Sequence, residues 1–110
     1  MQAIWFTKSR LRSQQLVYIC DVIGQQGTSS IQEMRIEALR VNKEGAIAIA
    51  NMMMRNAGFQ RLELIDAGID CDCMLELCNG IKECTSLDYL DLRKNIFDSK
   101  GLAALILSLK

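Results

Sequence analysis

The side chains in this 110-residue chain best suited to chemistry are its cysteines. Four of the five, Cys71, Cys73, Cys78 and Cys84, lie close together in a C-x-C-x4-C-x5-C arrangement, and the fifth is Cys20. Four thiolates can hold a structural zinc ion in a tetrahedron. The usual zinc spacing pairs the cysteines as C-x2-C, and no such pair occurs here. Asp66, Asp70, Asp72 and Glu76 offer carboxylates, the hard ligands of calcium, but without the glycine hinge and terminal glutamate of a calcium loop. A solvated turn is the expectation for them. The segment Gly24–Gly27 lacks the Lys-Ser/Thr that follows a phosphate-binding loop and the strand that precedes one. Histidine is absent, so no Ser/His or Cys/His catalytic arrangement and no histidine metal ligand exists within the chain. Catalysis by this chain is not expected, and neither a cofactor nor a metal is implied.

Composition narrows the partners further. Half of the residues are apolar, enough for one continuous core and too many for a disordered segment. Thirteen basic residues balance thirteen acidic ones. That balance gives no electrostatic reason to expect nucleic acid or an anionic membrane surface. Residues 1–30 carry Lys8, Arg10 and Arg12 against Asp21, 3 − 1 = +2, leaving −2 for the rest of the balanced chain. No apolar run reaches the roughly 20 residues of a membrane helix. Five cysteines cannot all pair, and no secretory signal is evident, since the run 16–23 is short and interrupted by Cys20 and Asp21. The expected setting is reducing and intracellular, cytoplasmic or cytoskeletal. The acid-free, basic, serine-bearing first 20 residues loosely match a mitochondrial transit peptide, which is the alternative to an N-terminal segment containing a helix.

What must position these side chains is a repeat. Slid against itself by 28 residues, the chain superposes its apolar positions without a gap. Leu87, Leu90, Leu92, Asn95, Phe97, Gly101, Leu105 and Leu109 fall on Phe59, Leu62, Leu64, Ala67, Ile69, Cys73, Leu77 and Ile81. Those fall in turn on Ile31, Met34, Ile36, Leu39, Val41, Gly45, Ile49 and Met53. A further step of 28 fails, because Lys8 and Asp21 would occupy core positions. Each copy begins with alternation at period 2, which predicts a strand with one buried face. It continues at helical spacing, which predicts a helix. Strand–helix–strand connections require parallel strands.

The segment from Leu87, "LDYLDLRKNIFDSKGLAALILSL", resembles the leucine-rich repeat pattern L-x-x-L-x-L-x-x-N-x-L-x-x-x-G-x-x-x-L. The period of 28 is similar to that of the helix-bearing, ribonuclease-inhibitor-like class. The resemblance spans roughly residues 31–110. It implies an α/β fold, a leucine-rich repeat solenoid segment with parallel strands on the concave side and helices on the convex side. It divides the chain into an N-terminal aromatic segment and capping helix at 1–30, then three repeats at 31–58, 59–86 and 87–110. In the family the asparagine side chain caps the turn. Ala67 and Leu39 stand at that position in the earlier copies and have no hydrogen-bonding side chain.

The repeat also gives the cysteines a plain role. Cys73 takes the place of Gly45 and Gly101, and Cys78 that of Ala50 and Ile106. Cys84 follows the helix, where Asn56 sits one copy earlier. Free cysteine packs as a small buried hydrophobe. Met53 is core by register, with Met52 and Met54 flanking it. Asp70 and Asp72 precede a helix, where negative charge suits the helix dipole, and Asp98 with Ser99 can cap the next.

Strand residues between the leucines point away from the core. Three outward columns follow: Glu33, Arg61, Tyr89; Arg35, Glu63, Asp91; and Glu37, Ile65, Arg93. Much of this strip is expected to pair with itself, Glu33 with Arg61 and Arg35 with Glu63. The candidate binding residues on it are Arg61, Glu63, Ile65, Tyr89, Asp91 and Arg93, because aromatic and arginine side chains anchor interfaces. Trp5 and Phe6, in an apolar N-terminal cluster without a repeat role, are a second candidate contact. The sequence closes inside a predicted helix with no polar capping repeat, so the ends are expected to be covered by another chain or further repeats. The function expected is a non-catalytic protein–protein interaction module, a structural or adaptor subunit of a larger assembly. The alternative is a regulatory or sensor fragment of a larger receptor or enzyme.

Overall fold

The computed structural model describes residues 2–7, 13–25, 31–56 and 58–108. Strand and helix alternate throughout: β1 (Gln2–Thr7), α1 (Ser13–Gln25), β2 (Ile31–Glu37), α2 (Lys43–Arg55), β3 (Arg61–Ile65), α3 (Cys71–Glu83), β4 (Tyr89–Asp91) and α4 (Ser99–Ser108). The strands form one parallel sheet in the order β1-β2-β3-β4. The helices pack in the same succession and form a layer over one face of it. The chain is thus mixed α/β, built from four strand–helix units.

Burial follows the two periods. In the strands Met34, Ile36, Leu62 and Leu64 are fully buried against the helices. Their alternate neighbours Glu33 and Arg35 remain partly exposed, and Arg61 is exposed. From the helices, Leu16, Cys20, Ile49, Met53, Met74 and Leu77 complete the same core. Each large side chain buried this way contributes roughly 2 kcal/mol. Met52 is buried beside Met53, whereas Met54 is exposed.

The register reproduces the 28-residue slide. Glu33 pairs with Arg61 and Arg61 with Tyr89, 61 − 33 = 28 and 89 − 61 = 28. The turns repeat with it. Ala38, Asp66 and Lys94 all have positive φ, at 57°, 51° and 62°. None is glycine, so the same left-handed bend is held three times against the usual preference for that residue. Helix starts share the interval. Asn42 Oδ1 accepts from the Gly45 N–H at 2.9 Å, and Asp70 Oδ1 from the Cys73 N–H at 2.9 Å. Asp98 Oδ1 accepts from the Gly101 N–H at 3.2 Å. Each satisfies a first-turn donor that the helix itself cannot.

At Gly80 two helices approach closely. A Cβ there would lie 2.7 Å from Ala50 Cα and 2.8 Å from the Ala50 carbonyl oxygen, so α3 meets the α2 backbone without an intervening side chain.

The N-terminal residues form a unit of their own. The sequence pattern leaves residues 3–6 without a repeat role; the structure makes them part of strand β1. Ile4 pairs with Met34 and Phe6 with Ile36, an offset of 34 − 4 = 30. The helix keeps that offset: Leu16 lies by Gly45 as Met74 lies by Gly101, which makes Leu16 the counterpart of Ala46, 46 − 16 = 30. A register irregularity between Gln2 and Ala3 adds to the mismatch. A slide by 28 therefore misses this unit. Of the capping helix expected within 1–30, residues 13–25 are helical, and residues 8–12 and 26–30 lie outside the described residues. Among the described residues no helix is long and apolar enough to cross a membrane.

Candidate interaction surfaces

The sheet face turned away from the helices carries the residues expected in columns, and the strand register brings them together as the spacing predicts. Arg61 lies between strands, with Nε 3.9 Å from Glu33 Oε1 and Nη1 3.9 Å from Glu63 Oε1. Arg35 Nη1 lies 3.4 Å from Glu63 Oε2, and its other nitrogen bonds Glu37. A continuous chain of alternating charge results: Glu33, Arg61, Glu63, Arg35, Glu37. Exposed pairs of this kind contribute at most about 1 kcal/mol each. Their consequence is that the charge is spent internally and the strip offers little net field.

The partners of Asp91 are on its own strand end. Arg93 donates from Nε to both carboxylate oxygens at 3.0 and 2.9 Å, and its backbone N–H donates to Oδ1 at 3.1 Å. The Arg93 hydrogen bond, more than anything else, holds the Asp91 carboxyl below the usual carboxylate range. Glu63 and Asp91 are both buried, and Ile65 is only 5% exposed. These three, expected as contact residues, therefore offer almost no free area. What the strip presents is Tyr89, 41% exposed, with the Arg61 guanidinium 4.1 Å from its ring centroid, and the exposed Arg93. The cation over the ring stiffens both side chains.

Trp5 belongs to the same face. It pairs with Arg35 across β1–β2, which sets it at the head of the column Arg35, Glu63, Asp91, and it is 67% exposed. The N-terminal aromatic and the charged strip, separate in the sequence, are one surface. The missing signal was the 30-residue offset of β1. Phe6 is in β1 opposite Ile36, and its side chain lies outside the described residues.

The cysteines are individually placed. The Cys73 thiol donates to the Val41 carbonyl at 3.7 Å, and the Cys84 thiol to the Phe59 carbonyl at 3.5 Å. Burial pushes the Cys20 thiol up to about 12 and Cys73 up to about 11. Both are held as neutral thiols at neutral pH, poor nucleophiles and poor ligands. Cys71, half-buried at the start of α3, is also raised, mainly by desolvation and then by Asp98. Among the described residues no group of three or more His, Cys, Asp or Glu side chains converges to hold a metal ion. Of the acidic set, Asp70 is the cap of α3, and Asp66 and Asp72 are exposed.

No protein-family model matches the chain, and no curated protein matches it significantly.

Proposed function

We propose that this chain is a segment of a leucine-rich repeat solenoid that acts as a non-catalytic protein–protein interaction module, a structural or adaptor subunit of a larger intracellular assembly. The repeat reading is supported by the recurrence, at one interval, of strand register, left-handed turn residue and helix cap. The observation that carries the interaction reading is the group on the outer sheet face: Tyr89 under the Arg61 guanidinium, with Arg93 at the same end and the exposed Trp5 three strands away on β1. Aromatic and arginine side chains whose conformations are already fixed lose little entropy on binding. The carboxylates of this face are committed to arginines, and the chain has no histidine, so nothing on it is poised for proton transfer.

The test begins with affinity capture of the tagged chain and identification of its stoichiometric partner. Affinity for that partner is then measured for Trp5→Ala and Tyr89→Ala. Both side chains are exposed, so folding is expected to be unchanged, and each variant is expected to weaken Kd on the order of tenfold or more, as interface anchors do. Unchanged affinity in both would remove this face from the interaction.

A further inference from the structure

The ion pairs of the outer face do not present their two signs equally. On β3 and β4 the cation covers the anion: the Arg61 side chain is 44% exposed and its partner Glu63 only 9%, and Arg93 is 70% exposed and Asp91 only 7%. On β2 the signs are level, with Arg35 33% and Glu37 30% exposed. The strip therefore has little field at a distance, yet at contact its β3–β4 side is a surface of guanidinium N–H groups. Those groups are not used up. Arg93 turns Nε and Nη2 to Asp91, which leaves the two N–H groups of Nη1 outside that pair. Arg61 stands 3.9 Å from both Glu33 and Glu63, an ion-pair separation longer than a hydrogen bond, and lies over the Tyr89 ring. A guanidinium held on a ring keeps its planar fork of donors, which matches a carboxylate. At the other side of the face Trp5 offers an exposed ring. Its column runs through Arg35 to Glu63, two residues beyond Arg61 on β3. Two strand spacings of about 4.8 Å and two residues of about 3.3 Å along the strand set Trp5 about 12 Å from Arg61.

We propose that the partner bound by this face presents an extended acidic segment, in which an Asp or Glu side chain accepts from the Arg61 guanidinium over Tyr89 and an apolar side chain rests on Trp5. Extended chain rises about 3.3 Å per residue, so the two anchors stand roughly three or four residues apart in that segment. The chemistry of the occupant follows from the groups left unmet. A basic segment would bring donors to donors, because the carboxylates of β3 and β4 that could receive it lie beneath the arginines. A wholly apolar segment would strip water from Arg61 and Arg93 and return no hydrogen bond, at a net cost. A carboxylate supplies acceptors in the geometry of the fork, and hydrogen bonds between ionised partners are the strong ones. A nucleic-acid backbone or an anionic lipid surface needs a broad positive field, which Glu33, Glu37 and Glu63 deny here. Arg93, at the other end of the same two strands, takes a second acidic residue through Nη1.

The proposal rests on the outer-face interaction reading above, and its test separates the two. A display library of random peptides is selected on the immobilised full chain. Enriched peptides are expected to carry Asp or Glu roughly three or four residues from a large apolar side chain. Arg61→Gln leaves Glu63 its contact with Arg35, so the variant is expected to fold as judged by circular dichroism. It is expected to lose the acidic preference and keep the apolar one, and Trp5→Ala is expected to do the reverse. Emission from Trp5, the chain's one tryptophan, reports binding of a selected peptide in solution. Changing the acidic residue of that peptide to its amide is expected to weaken Kd on the order of tenfold. Enrichment of basic or purely apolar peptides that is lost with Trp5→Ala overturns the acidic partner and leaves the outer face as the contact. Enrichment that is equal on the parent chain, Arg61→Gln and Trp5→Ala, or no enrichment at all, also overturns the proposal; the outer face is then decided by the affinity of the captured partner for Trp5→Ala and Tyr89→Ala.

Discussion

Two junctions in this molecule solve one problem differently. Between the second and third units, the loops after β2 and β3 meet directly: the Ala38 N–H donates to the Ile65 carbonyl at 3.1 Å and the Val41 N–H to the Ala67 carbonyl at 2.8 Å. Between the third and fourth, the first of these bonds recurs one interval on, as Asp66 N–H to Arg93 carbonyl at 3.0 Å. The second does not. Asn95 stands in its place: Oδ1 accepts from the Ala67 and Ile69 N–H groups at 2.9 and 3.0 Å. Its Nδ2 donates to the Leu64 carbonyl and, at 2.9 Å, to Leu92. The comparison teaches that the polar cap is one of two ways to satisfy the same backbone groups. Where the position holds alanine, the loops close onto each other without a side chain between them. Where it holds asparagine, one amide serves backbone groups of both units at once.

The junctions should therefore break differently. Asn95→Ala is expected to have the largest effect, because it strands two N–H groups and two carbonyls in a partly buried turn. Each unsatisfied group costs about 1–3 kcal/mol, and water reaching the exposed side of the loop recovers part of that, so a loss of about 3 kcal/mol is expected. Urea unfolding measures it, and a loss under about 0.5 kcal/mol, the scatter of ordinary surface substitutions, would show that the amide is dispensable.

The other junction depends on proximity, not polarity. Gly80→Ala places a methyl against the Ala50 backbone, and the helices must separate. Overpacking of this kind costs about 1–3 kcal/mol, partly offset by the better helix propensity of alanine, about 1 kcal/mol. A net loss of about 1–2 kcal/mol is expected from the same denaturation curve, and a stabilised Gly80→Ala would place α3 further from α2 than described.

Acid acts on both junctions through their helix caps. Backbone hydrogen bonds, chiefly from Cys73 and Gly101, lower Asp70 and Asp98 below the ordinary carboxylate value of 3.8, so their folded pKa lies under the unfolded one. Their contribution is present in full above that value and is lost as pH falls through it toward the folded pKa. Stability is expected to be flat near neutrality and to fall below about pH 4. Asp70→Asn retains the cap and removes its share of the acid sensitivity, whereas Asp70→Ala costs about 1 kcal/mol at neutral pH. Equal losses for the two at neutral pH would argue against a capping role.

Much of this was legible in the sequence, for a physical reason. Alternation and helical spacing reflect burial directly, so Leu62, Leu64, Met74 and Leu77 announce their elements. Three copies at one interval also set the strand register, and with it the pairs Glu33–Arg61 and Arg35–Glu63. The first unit was hidden because its strand pairs at an offset of 30, and a fixed slide of 28 lands on Lys8 and Asp21. For that reason Trp5 could not be joined to the strip beforehand. The left-handed turns at Ala38, Asp66 and Lys94 gave no signal, since none is glycine. Nor did the outward position of Ile65 reveal that it is buried.

The repeated parallel register is the claim on which the rest depends, and interstrand nuclear Overhauser effects in the labelled chain test it most directly. Contacts between the amide and α protons of neighbouring strands are expected to link Glu33 with Arg61 and Arg61 with Tyr89, at the interval of 28, and Ile4 with Met34 at 30. An antiparallel pattern, or pairing at any other offset, would contradict the stacked units and the surfaces derived from them.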